Sequence, residues 1–173
     1  MIFFDVETTG LITNEALPLE MQPRIIEIAA LKTDDDGNEL ETFSCRINPG
    51  VKLEAIITKI TGLTDNDLTD AIKFPAVFND LAGFFRGETT MLAHNARFDL
   101  MMLVFELQRI DAQWKFPFCS NIIDTKQFWE RSLEKWAKSF FGEKFTQTHR
   151  ALDDVMLLRD CYFNYLKRNH ETQ

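Results

Sequence analysis

A chain of 173 residues that is 45% hydrophobic, with 16 Phe, is long enough for one well-packed domain and short for two, so a single domain over residues 1–173 is expected. The formal net charge of -8 excludes a broad basic surface for gripping nucleic acid, but the balance is local: residues 1–114 carry 9 Lys/Arg against 19 Asp/Glu, whereas residues 115–150 carry 7 against 4. Cys45, Cys119 and Cys161 form no CxxC pair and read as buried thiols of a reducing compartment, and the longest apolar run, residues 100–105, is too short to span a bilayer; a cytoplasmic protein without a membrane partner is expected.

In chain order, "MIFF" leads into "DVETTG" as a strand running out into a turn. "RIIEIAALKT" and "ELETFSCRIN" are strands on either side of "DDDGN", whose Asp and Gly residues mark a hairpin. "LEAIITKITGLTDNDL" mixes short helical and turn signals, and "FPAVFNDLAGFFRG" repeats apolar residues at helical spacing. "TTMLAH" is a short buried strand, followed by the helix "NARFDLMMLVFELQRI", apolar almost all round and capped by Asn95. "CSNIIDT" gives a fifth strand, "KQFWERSLEKWAKSFFG" an amphipathic helix ending at Gly142, and "HRALDDVMLLRDCYFNYLKRN" the last helix. Antiparallel strands followed by alternating strands and helices imply an α/β fold with a mixed sheet.

Asp5 and Glu7 sit at the end of the first apolar run. On a strand they share a face, roughly 6.6 Å apart at about 3.3 Å per residue. Two anions so placed need a raised pKa, a basic partner or a divalent metal, and hard oxygen ligands suit Mg²⁺ or Mn²⁺. An isolated pair of this kind is more often a solvated strand end, so further ligands must be found. Asp99 lies one turn into the central helix, next to a strand end, although a first-turn Asp also serves the helix dipole. In the last helix, at about 100° per residue, Asp154 falls on the stripe of Ala151, Val155, Leu158, Tyr162 and Tyr165, while Asp153 falls opposite. His149, five residues before Asp154, brings an imidazole, the side-chain type whose unperturbed pKa of about 6.5 suits proton abstraction near neutrality.

Three segments carry a resemblance: "FDVETTGL", "AHNARFD" and "HRALDD" stand in the order and spacing of the exonuclease motifs of the DEDD superfamily, in its His-containing DEDDh (DnaQ-like) branch. "PRIIEIAALKT", "INPGVKLEAIITKITGLTD" and "NIIDTKQFW" also look like the connecting segments of the ε-type proofreading exonucleases of DNA polymerase III. The resemblance implies a ribonuclease-H-like fold, a five-stranded mixed sheet flanked by helices, and 3′-to-5′ removal of mononucleotides using two Mg²⁺ or Mn²⁺ ions. It makes Asp5, Glu7, Asp99 and Asp154 the metal-site carboxylates and His149 the general base. It also places the terminal nucleotide against the turn after the first strand, with Leu11 packing on its base.

Thr8 and Thr9 offer backbone N–H groups and a hydroxyl to a 3′-OH there, Gly10 permits a tight turn, and Phe98 is placed either to stack on a base or to join the core. Trp129, Leu133, Trp136 and Phe140 read as a buried stripe, whereas Lys135, Lys138, Lys144 and Arg150 are candidates for backbone phosphates. The expected substrate is a single-stranded DNA 3′ end. The alternatives are an exoribonuclease of the ribonuclease T or oligoribonuclease kind and a non-catalytic replisome subunit, the last of which predicts a missing ligand where none is missing. A polymerase or replication partner fits the resemblance, but the chain ends 19 residues after Asp154 without an obvious docking tail.

Overall fold

The computed structural model describes residues 1–170, with side chains through Asn169, so the last three positions of the expected domain lie outside the described residues. Five strands form one sheet in the order β3-β2-β1-β4-β5. They are β1 (Ile2–Thr8), β2 (Ile25–Thr33), β3 (Glu39–Arg46), β4 (Thr90–Ala93) and β5 (Asn121–Asp124). β1, β2 and β3 pair antiparallel, whereas β4 runs parallel to both β1 and β5, which is the expected five-stranded mixed sheet. Its helices are α1 (Ala55–Thr61), α2 (Asp65–Thr69), α3 (Phe74–Phe85), α4 (Ala96–Arg109), α5 (Leu133–Phe141) and α6 (Ala151–His170).

Strand alternation splits β1 between two cores. Ile2, Phe4 and Val6 pack with Leu81, Phe85, Met102 and Leu103 of α3 and α4, whereas Phe3 packs with Trp136, Val155, Leu158 and Cys161 of α5 and α6. β2, apolar for nearly its whole length, is buried on both faces. The edge strand β3 is largely exposed and carries Glu39, Glu41 and Arg46, a composition that discourages pairing with another chain. Between Glu7 and Thr8 the register with β2 slips by one residue, and the bulged Ile26 enters a third, smaller core with Leu63 and Leu68 beside α1 and α2.

Three local expectations are corrected. The amphipathic helix expected from Lys126 begins only at Leu133, because Thr125–Gln127 makes a 3-10 turn and the Ser132 hydroxyl accepts the Lys135 N–H at the true N-terminus. Trp129 therefore lies outside the helix, although it packs against the same core as Leu133, Trp136 and Phe140. Asn95 makes no side-chain cap on α4; it takes a left-handed backbone (φ 81°), and its N–H donates to Asp124 Oδ1 at 3.0 Å. Of the three free thiols, Cys119 and Cys161 are buried but Cys45 on the edge strand is half-exposed. Among the described residues no helix is long and apolar enough to cross a membrane.

The hairpin between β2 and β3 turns on Gly37 (φ 88°), where an added Cβ would lie 2.7 Å from the Phe163 ring of α6; at Gly87, with the same φ, it would meet nothing within 4 Å. Gly87→Ala is expected to cost about 1–2 kcal/mol for the left-handed backbone alone. Gly37→Ala should cost a further 1–3 kcal/mol for the collision with a packed ring. Urea unfolding midpoints of the two variants measure the difference.

Candidate metal and catalytic site

The site forms where the sheet opens. The parallel ladder between β1 and β4 stops at Phe3 and Leu92. Beyond it the Val6 N–H, left without a strand partner on that side, donates to Asp99 Oδ1 at 3.3 Å. Asp99 thereby reaches the strand end from α4, on one side of the sheet, and it is almost wholly buried. Asp5 and Glu7 share the face on which Phe3 meets α6, and α6 delivers Asp154, buried on the stripe that helical spacing assigned it, while Asp153 is exposed. One ligand atom from each of Glu7, His149 and Asp154 lies within 4.8 Å of the others. An antiparallel pair, a parallel neighbour and a helix on each face thus converge on one strand end, where open α/β sheets receive ligands.

The electrostatics are those of a charge cluster short of cations. Burial, then Asp154 and Glu27, push the Asp5 carboxyl well above the usual range. Glu7 is pushed up to about 9, first by burial and then by Asp5, Asp154 and Glu27, with Arg150 opposing. Asp99 is raised by burial and by Asp5, against the Val6 N–H, which favours its anion. Asp154 is raised by burial to about 6, the Gln147 hydrogen bond and His149 holding it down. Asp154 Oδ1 is buried without a hydrogen-bond partner, whereas Oδ2 accepts from Gln147 Nε2 at 2.6 Å. Clustered carboxylates that ionise reluctantly, one oxygen without a donor and a nearby imidazole fit a hard divalent cation rather than an organic group. Asp5, Glu7, Asp99 and Asp154 are the carboxylates whose oxygens could hold one.

The turn after β1 is built largely from its own bonds. The Thr8 hydroxyl donates to the Gly10 carbonyl at 2.8 Å. Thr9 exchanges two bonds with Arg24, its N–H donating to the carbonyl at 2.8 Å and its hydroxyl accepting the N–H at 2.9 Å. Gly10 is not required by the turn: its φ is not positive, and a Cβ would meet nothing within 4 Å. Leu11 is 78% exposed, an apolar side chain with nothing to cover it. Phe98 joins the core, packing against α3 and α4, and its remaining surface lines a cavity of about 470 Å³ with Ile12, Asn14, Asn95, Arg97 and Met101. Two of the four basic candidates are already engaged, Lys138 with Glu134 and Arg150 with Glu27, while Lys135 and Lys144 are exposed.

Glu27 and Gln147 escaped the sequence reading. Glu27 stands opposite Glu7 in the β1/β2 register and is 3% exposed. Its signal was present: "RIIEIAAL" is a buried run interrupted by one acid, the same anomaly that drew attention to Asp5 and Glu7. Gln147 gave none, because a polar residue in a polar loop is unremarkable before Asp154 is placed beside it.

Comparison with known proteins identifies the family and the fold. A family model described as Exonuclease (RNase T) matches residues 2–162. The PolC-type DNA polymerase III of Staphylococcus haemolyticus is 33% identical over 89% of this chain, and that of Caldanaerobacter subterraneus 26% over 98%; the chain spans 10% and 12% of their lengths. Among solved structures, the nuclease domain of 3′hExo, described as a DEDDh family member bound to rAMP, superposes with a TM-score of 0.77 at 18% identity, covering 96% of this chain and 91% of that one. The zinc-bound form of an E. coli ExoI–ssDNA complex gives 0.78 at 20% identity, covering 96% of this chain and 40% of that one. Both superpose on the five-stranded mixed sheet with its flanking helices, a ribonuclease-H-like exonuclease fold, and by the family model over residues 2–162 the chain belongs to the RNase T exonuclease family, the DnaQ-like 3′-to-5′ exonucleases.

Proposed function

We propose that residues 1–173 form a single exonuclease domain that releases nucleoside monophosphates from the 3′ end of single-stranded DNA by metal-dependent hydrolysis. The observation that carries the reading is the meeting of Glu7, His149 and Asp154 within 4.8 Å at the strand end, with Asp5 and Asp99 beside them. Two Mg²⁺ or Mn²⁺ ions held by the four carboxylates would supply charge neutralisation at the phosphate and acidify water. His149, half-buried at the rim, takes the proton of the attacking water. The reacting group is backbone phosphate, so the chemistry tolerates any base. Thr8, Thr9 and Gly10 receive the terminal sugar, while exposed Leu11 and half-buried Phe98 offer apolar surface to its base. The preference for DNA and a setting in replication draw their support from the PolC-type DNA polymerase III relatives.

A 5′-labelled DNA strand and an RNA strand of the same sequence, each incubated with Mg²⁺ or with EDTA, separate the possibilities. A ladder shortening from the 3′ end of DNA in Mg²⁺ alone is the expected result. Faster shortening of RNA would move the assignment to an exoribonuclease, and intact strands throughout would sink it.

His149→Asn is expected to lower kcat by about 10²- to 10⁴-fold. Mn²⁺ affinity measured by calorimetry should stay unchanged, because the carboxylates hold the ion. A large loss of metal affinity instead would make His149 a ligand rather than the base.

Metal-free stability should fall as pH rises. A carboxyl whose folded pKa lies above its unfolded value binds more protons when folded, so its contribution is complete below the unfolded pKa and is lost on the way up to the folded one. The window runs from about pH 4 to about 6 for Asp154 and to about 9 for Glu7. Thermal melts in EDTA should therefore show a lower Tm at pH 8 than at pH 5.5, and Mg²⁺ should raise Tm more at pH 8. A Tm that climbs with pH in EDTA would contradict the raised values.

A further inference from the structure

Glu27, which none of the three motifs contains, lies at the centre of a clamp. Its Oε2 accepts from Arg150 Nε at 3.0 Å and from the Ala151 N–H at 3.0 Å, and its Oε1 accepts from Arg150 Nη2 at 2.5 Å. Arg46 Nε stands 4.0 Å from the same Oε1. One buried carboxylate on β2 therefore grips the guanidinium of Arg150 by both arms and also holds the first N–H of α6, the end of the helix that favours an anion. With three donors on two oxygens, Glu27 has little left to offer a cation, although it sits opposite Glu7.

The clamped residues directly follow His149. That residue has a left-handed backbone (φ 53°), a conformation that costs a non-glycine residue about 1–2 kcal/mol and must be held by its surroundings. Before it, the Thr148 hydroxyl donates to Asp153 Oδ2 at 2.7 Å; after it, Arg150 and Ala151 are bonded to Glu27. The exposed Thr148 bond closes a turn within α6's own beginning, whereas the Glu27 bonds tie this turn to the sheet that carries Asp5 and Glu7. Without them, the imidazole would be fixed relative to α6 alone.

We propose that Glu27 is the positioning residue for His149: acting through Arg150 and the Ala151 N–H, it holds the left-handed turn at the distance from β1 that proton transfer needs. The inference rests on His149 acting as the base. Glu27 takes no part in the reaction and binds neither metal nor substrate.

Steady-state kinetics on the 5′-labelled strand, with Glu27→Gln made in the wild-type and in the His149→Asn background, test this. A misplaced base costs on the order of 10²-fold, so Glu27→Gln should lower kcat by about 10- to 100-fold with KM and Mn²⁺ affinity unchanged. In the His149→Asn background it should cause no further loss, because residues that act through one another are non-additive. An equal fold-loss in both backgrounds, or a loss confined to KM or metal affinity, overturns the proposal. If His149→Asn by itself is fully active, the assignment of the base fails instead, and the two failures are distinct. Should Glu27→Gln not fold, Arg150→Lys, which breaks the two-armed grip at a partly exposed site, is read by the same pair of backgrounds: loss only where His149 is present supports the clamp, and equal loss in both removes it.

Discussion

Mutual repulsion among buried carboxylates is the constraint on which the rest of this molecule depends. Asp5, Glu7, Glu27, Asp99 and Asp154 crowd one strand end, and the first two, Asp99 and Asp154 are all held above their ordinary pKa by burial and by neighbouring acids. Nothing local makes such a cluster favourable. It persists because strands and helices on both faces of the sheet bury enough apolar surface elsewhere to hold it together, at about 25 cal/mol for each Å² removed from water. Phe3 and Phe4, adjacent in β1 and both fully buried, anchor the strand to opposite cores immediately before the first acid.

Two buried acids are fastened by ion pairs, one within the cluster and one outside it. Glu27 is neutralised by Arg150 and stitched to α6, so its charge serves as a fastening. On the other side of the sheet Glu106 is fastened in the same manner: it accepts from the Ile25 N–H and from Arg109, whose other arm reaches the carbonyls of Leu19, Gln22 and Pro23. Each pair ties a helix to β2 or to the chain entering it. At the strand end, Asp5, Glu7, Asp99 and Asp154 have no Lys or Arg within hydrogen-bonding reach among the described residues, which separates them from the fastened carboxylates of Glu27 and Glu106.

Much of this was legible in the sequence, and the reasons differ by element. Strand and helix periodicities gave all five strands and placed Asp154 inward and Asp153 outward, because burial on one face leaves a regular trace. The start of α5 was misread because the apolar residues before it, Phe128 and Trp129, continue the helical spacing while the chain makes a 3-10 turn; the Ser132 cap was the better signal. The meeting of Asp99 with Asp5 and Glu7 could not be derived from spacing alone, since it depends on β1 and β4 parting after Phe3, and only the resemblance of three motifs supplied it. Glu27 was legible and overlooked; its partner Arg150 was assigned to phosphate because a charge on a helix end looks the same whether it faces solvent or a buried acid.

The left-handed backbone of Asn95 ties together parts of the chain that lie far apart. Its N–H bonds Asp124, the last residue of the edge strand β5, and one turn later the helix it opens presents Asp99. The short outermost strand thus sets the entry angle of the central helix, and through it the depth at which the Asp99 carboxylate meets β1. Edge strands tolerate variation when their only duty is to end a sheet. Here the edge is a lever with its working end at the carboxylate cluster, so a substitution near β5 that looks peripheral would be felt as a shift of Asp99 against Asp5 and Val6.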